Sequence, residues 1–243
     1  MTREHVIPSF AYALQKTVES KIIGWNEVAN RMVGGEAKVK DVCEMCNSGP
    51  LSVLDSYGKG LLESAGVLVR DYPKIDLTLE YDYDQLLRWL LKISFNSSRT
   101  DGAHSHLFEK YANYMLGRGQ TPKRSEIAII GYLAAPACID TGIENLKNPF
   151  FVRISYGATN AFYTLRNVCF GPLHFFILVF QEDVLPGHAA AAIRRVIKIQ
   201  LGAIELPSNR RMAVLHVGQS SWLDLYAAQA ARLRHLGKSA YPG

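Results

Sequence analysis

The sequence predicts an α+β protein, and three observations point that way. Apolar residues recur at helical spacing over much of the first hundred positions. Short apolar and aromatic runs bounded by Gly, Pro and Asn dominate the second half. The composition is also that of a globular chain: of 243 residues, 48% are hydrophobic and 20% charged, close to average usage and unlike disordered, collagen-like or coiled-coil sequences. The length suits one large domain or two small ones. The chain has neither an internal repeat nor a low-complexity tract.

Taken in order, residues 3–8 predict a short strand that Pro8 ends, because proline cannot donate to a ladder. Residues 9–23 carry Phe10, Leu14, Val18 and Ile22 four apart, the spacing of an amphipathic helix with Ser9 as N-cap, and Gly24 stops it. Residues 25–35 read as loop, and residues 38–42 alternate as a second strand running into Cys43. Leu54, Leu61 and Leu62 predict a helix that Gly58 and Gly60 weaken. After extended chain over residues 64–78, Asp82 or Asp84 caps a helix through Leu86, Leu87, Trp89, Leu90, Leu91 and Ile93, expected to end in the polar residues 96–102. A further helix is expected over residues 106–115, broken by Gly117-Arg118-Gly119. Residues 127–134, 150–156, 161–168 and 173–180 predict strands of a largely antiparallel sheet, residues 188–201 a basic helix, 212–217 a strand and 222–236 a terminal helix. The polar run at 96–102 divides the chain into residues 1–100 and an α+β part, residues 101–243.

The formal net charge of +5 is unevenly spread. Residues 151–243 hold ten Lys and Arg against four Asp and Glu. Arg194, Arg195 and Lys198, then Arg210 and Arg211, then Arg232, Arg234 and Lys238 form clusters that face either a polyanion or solvent. Four cysteines (Cys43, Cys46, Cys138, Cys169) do not make a secreted disulfide framework. The start Met1-Thr2-Arg3-Glu4-His5 is polar, and the longest apolar run, interrupted by His174, is too short to span a bilayer. A cytoplasmic protein without membrane contact is the expectation.

Cys43-Glu44-Met45-Cys46-Asn47 is the stretch with the most chemistry. Two cysteines two residues apart on a tight turn can bring both sulfurs to one metal, and Asn47 follows where a helix begins. Glu4-His5-Val6-Ile7-Pro8 followed by Cys43-Glu44-Met45-Cys46-Asn47 resembles the HNH, or His-Me finger, endonucleases, in particular their resolvase-like branch. The resemblance rests on two short motifs in the right order and covers roughly residues 3–60. It implies a β-hairpin and a helix around one metal ion, the ββα-metal module. It further implies His5 as the base that activates water, and Glu4 and Asn47 as ligands of Mg2+ or Mn2+. These are hard oxygen donors of the type such ions take, and imidazole titrates near neutral pH. Family members usually carry Asp where this chain has Glu4, which reaches one methylene further. Asn30 matches the hairpin asparagine that braces the base in some members, or is simply a turn residue.

By the same resemblance, Cys43 and Cys46 are half of a structural zinc site whose other Cys pair precedes the Glu-His motif. No such pair stands before Glu4, so three possibilities remain open: a longer chain with the missing pair, completion by His104, His106, Cys138 or Cys169, or no zinc. Trp89 and Lys92 share a helix face, which stem packing explains as well as a nucleic-acid contact does. The expected function is metal-dependent hydrolysis of phosphodiester bonds in nucleic acid, with DNA as the first expectation and Lys38, Lys40, Arg194, Arg195 and Lys198 as backbone contacts of salt-dependent affinity. The alternative is a degenerate relative that binds nucleic acid or a protein partner without catalysis.

Overall fold

In the computed structural model, which describes residues 2–18, 23–26, 31–101, 104–138, 146–181 and 187–235, the chain is a mixed α+β protein. The N-terminal elements are β1 (Thr2–His5), α1 (Ser9–Val18), β2 (Ile23–Asn26), β3 (Arg31–Gly34), β4 (Lys38–Val42), α2 (Glu44–Cys46) and, after a wide helical turn at Asn47–Leu51, α3 (Ser52–Ser64). β1 and β4 pair antiparallel with Glu4 opposite Val39 and His5 opposite Lys38. Where a loop was expected, β2 and β3 form a second antiparallel pair. Asn30 lies outside the described residues.

The large sheet has seven strands. β5 (Asp76–Glu80), β13 (Met212–Ser221), β6 (Ile127–Ala135), β11 (Leu173–Phe180), β10 (Tyr163–Phe170) and β9 (Val152–Thr159) lie in that order, and the short β12 (Ile204–Glu205) also pairs with β6. The pairings are antiparallel except β13 with β6, which is parallel. The two central strands are buried on both faces, which is why their sequences read as unbroken apolar runs. On β6, Ile127, Ile129 and Leu133 join the larger core with the N-terminal helices. Ala128, Ile130, Tyr132 and Ala134 face α7 (Gly187–Leu201) in a smaller one. A further short pair, β7 (Ala137–Cys138) with β8 (Leu146–Lys147), stands off the sheet, and the last helix, α8 (Trp222–His235), follows β13.

Helix α4 (Tyr83–Asp101) joins the two halves. Leu86, Leu87, Trp89, Leu90, Leu91 and Ile93 are all fully buried, and Trp89 stacks on Phe170 of β10 at 5.1 Å between ring centroids. Gly58 of α3 is what lets the helices approach there, because a Cβ at that position would overlap the Trp89 indole. The glycine read as a weakness of α3 is therefore the space for a tryptophan.

α4 runs on through the polar residues expected to end it. Asn96 and Ser98 are buried, the Ser98 hydroxyl donates to Phe95 O at 2.9 Å, and the Thr100 hydroxyl donates to Ser97 O at 2.8 Å. Such back-bonding lets serine and threonine stay helical. Arg99 donates to Asn96 Oδ1 and pairs with Asp41 of β4 at 2.7 Å. β5, from before residue 100, lies in the sheet built otherwise from later strands, and one core includes both Val6 and Ile177. The helix expected over residues 106–115 is two short ones, α5 (His106–Glu109) and α6 (Ala112–Met115).

Candidate functional site

The two sequence motifs meet in space. Thr2 in β1 donates its hydroxyl to Val42 O of β4 at 3.2 Å, which leaves its oxygen free to accept. Asn47 Nδ2 fills that role at 3.0 Å and also donates to Arg3 O at 3.3 Å. The head of the helical segment is thereby fastened to the strand that carries Glu4 and His5. The cap of the segment is Cys43 rather than Asn47: its Sγ accepts from Cys46 N at 3.1 Å, and Asn47 N donates to Cys43 O one turn later.

Cys43 and Cys46 are joined as a disulfide with Cα atoms 5.3 Å apart. His104 and His106 sit with ring centroids 6.3 Å apart, His104 edge-on to Tyr156, and Cys169 is buried in the sheet. The Cys138 side chain lies outside the described residues. Among the described residues, no group of three His, Cys, Asp or Glu side chains is arranged to hold a metal ion.

Glu4 and His5 are successive residues of a strand, so their side chains leave on opposite faces. His5 faces outward beside Lys38, and its Nε2 lies 3.0 Å from Glu36 Oε2. Glu36 also receives Lys16 Nζ at 2.6 Å and Lys38 Nζ at 3.5 Å. The Lys16 ammonium and then His5 hold the Glu36 carboxyl down at about 2, against an upward push from burial. A carboxylate on Nε2 orients the ring and leaves Nδ1 to accept a proton, the arrangement of an oriented general base. Arg3, Lys38 and Lys40 are exposed, so the outer surface of the β1–β4 pair is basic around His5.

Glu4 faces inward and is buried, where its Oε1 lies 2.5 Å from Lys92 Nζ of α4. The same ammonium contacts Asp55 Oδ2 of α3 at 2.7 Å and donates to Leu51 O at 3.3 Å. Lys92 is therefore neither packed for its stem alone nor a nucleic-acid contact, because only 2% of its side chain is exposed. Glu4 and Asn47 do not fit a shared divalent ion in this arrangement, since one is held by Lys92 and the other by Thr2 and Arg3.

The basic cluster on α7 is largely spent internally. Arg194 and Lys198 lie 3.3 and 3.7 Å from the Glu205 carboxylate, which Arg124 also pairs with, and Arg194 donates to Arg124 O. Arg195, Arg210 and Arg211 are exposed. The Arg232 and Arg234 side chains and Lys238 lie outside the described residues.

Sequence reasoning missed Glu36, Lys16 and Asp55, and misread Lys92. Glu36 stands two residues before Lys38, close enough to the strand start to have been weighed as a partner for His5. No local pattern connects Asp55 or Lys92 to Glu4. No helix among the described residues is long and apolar enough to cross a membrane. No family model matches the chain, and neither the curated proteins nor the solved structures contain a significant match to it.

Proposed function

We propose that this chain acts on the phosphodiester backbone of nucleic acid through its N-terminal hairpin and helix, with His5 as the base. The observation that carries the reading is the bond from Asn47 to Thr2 and Arg3, which brings the Cys-x-x-Cys-Asn motif onto the strand bearing Glu4-His5. The Glu4-His5 and Cys-x-x-Cys-Asn motifs, far apart in sequence, thus occupy one corner of the fold. The His5–Glu36 contact at 3.0 Å supports the same reading, because it orients an imidazole on a basic and exposed surface.

In this reading the phosphate lies over the outer face of β1 and β4, where Arg3, Lys38 and Lys40 offset its charge. His5 Nδ1 takes a proton from water as the water oxygen attacks phosphorus. The P–O ester bond breaks and its oxygen leaves to be protonated by solvent. Since Glu4 and Asn47 do not share a cation site in this arrangement, no step is routed through a metal.

A second reading, nucleic-acid binding without cleavage, is favoured by one observation: Glu4, the motif's acidic residue, is buried against Lys92 and does not reach the exposed face. Incubating the purified chain with supercoiled and linear DNA and with RNA, in magnesium, in manganese and in chelator, separates the two. Cleavage lost in His5→Ala supports the first. Intact substrates that are nevertheless retained, with affinity falling steeply as salt rises, support the second.

A further inference from the structure

Lys92 has an ammonium in the interior of the molecule, with three oxygens from two segments of chain around it. Glu4 Oε1 stands at 2.5 Å, Asp55 Oδ2 at 2.7 Å and Leu51 O at 3.3 Å. The first comes from β1, the second from α3 and the third from the helical turn just before α3, so the cluster ties the first strand to the helical segment through α4. Bringing an ammonium and carboxylates out of water is costly, and an apolar residue of similar size commonly packs as well or better in such a place. Stability alone is thus a weak reason for an ion cluster here. Carboxylate and carbonyl oxygens converging on one point are also the donors that hard divalent ions take.

We propose that Lys92 is the built-in cation of this module. Its ammonium neutralises Glu4 and Asp55 at the point where a divalent ion would be held, so the wild-type chain takes no divalent ion through Glu4. Removing the ammonium while leaving its space opens a site for one such ion, held by Glu4, Asp55 and the Leu51 carbonyl. Lys92→Ala leaves two carboxylates and a carbonyl facing one another without a counter-charge. The inference borrows from the proposed function only the significance of Glu4, and its test uses no nucleic acid, so either can fail alone.

Mn2+ is the probe, followed by its paramagnetic resonance signal, which falls as the free ion is bound, and by thermal unfolding of the full chain. Wild type is expected to bind no Mn2+ in a manner sensitive to Glu4→Gln, and its midpoint is expected to be the same in Mn2+ and in chelator. Lys92→Ala is expected to unfold earlier than wild type in chelator, to bind one Mn2+ at least about tenfold more tightly than wild type, and to gain stability with each increase in Mn2+. Glu4→Gln in the Lys92→Ala background is expected to abolish that gain, and Lys92→Met, which fills the space, to show none. The proposal is overturned by Mn2+ binding to wild type that Glu4→Gln removes. It is equally overturned by a Lys92→Ala chain that binds Mn2+ no better than wild type, or that folds neither with Mn2+ nor without it.

Discussion

Asn47 donates its side-chain amide to the Thr2 hydroxyl at 3.0 Å and thereby pins the head of the helical segment to the first strand. The bond is directional, because the Thr2 hydroxyl hydrogen is committed to Val42 O. Asn47→Asp has no hydrogen to donate and Asn47→Ala has no polar atom at all. Both are expected to lose roughly 1 kcal/mol of stability, read from denaturant midpoints. A Thr2→Val change in the Asn47→Ala background is expected to add only the loss of the Thr2–Val42 bond, a smaller step than Thr2→Val in the wild-type chain.

The Glu4–Lys92 pair is buried, and removing one partner leaves the other without full compensation. Glu4→Gln is expected to destabilise the chain by about 3 kcal/mol. The double variant Glu4→Gln with Lys92→Met is expected to recover part of that loss, because no buried ammonium is left short of a carboxylate, while Asp55 still loses its counter-charge. A double-mutant cycle in urea measures the coupling directly; additive losses would show that the two residues do not act as a pair.

Gly58→Ala is expected to cost roughly 2 kcal/mol or more, since the added methyl falls inside the Trp89 indole and the neighbouring core is close-packed. Replacing Trp89 with Leu in the same chain is expected to relieve part of the clash. Calorimetric midpoints of the two single variants and the double variant test this.

His174 is fully enclosed between Tyr132, Phe151 and Phe176, with Nδ1 3.2 Å from Asn167 Oδ1. Burial first, and then Arg153, push its pKa from 6.5 down to about 3. The unfolded chain therefore takes up a proton at this residue before the folded chain does. The stability that His174 contributes is complete above pH 6.5 and is lost as pH falls from there towards 3. Unfolding free energies of wild type are expected to decline through that window, and those of His174→Gln to decline less.

Much of the fold is legible in the sequence because its signals are local. The runs that become β6 and β11 are apolar without interruption since both faces of those strands are covered, and α4 shows its buried side as leucines at helical spacing. The extension of α4 through residues 96–101 is not legible. Serines and an asparagine resemble a loop until Asn96 and Arg99 are seen bonding to one another and, through Arg99, to Asp41. The candidate site divides in the same way. The order of the motifs is in the sequence, whereas the nearness of Asn47 to the first strand is there only as what the resemblance implies. The partner of each charged residue does not, because ion pairs such as Glu4–Lys92 join elements whose separation carries no periodic trace.

Cleavage of nucleic acid by the wild-type chain against His5→Ala, with a chelator arm, bears most directly on what the hairpin and helix do. Wild type is expected to nick supercoiled DNA, and the chelator arm reads whether a divalent ion takes part. His5→Ala is expected to be slower by about 100-fold or more, with a melting midpoint lowered only by the loss of the His5–Glu36 contact. Substrates left intact by wild type in every buffer, or equal rates for the two chains, would contradict the assignment of His5 as the base.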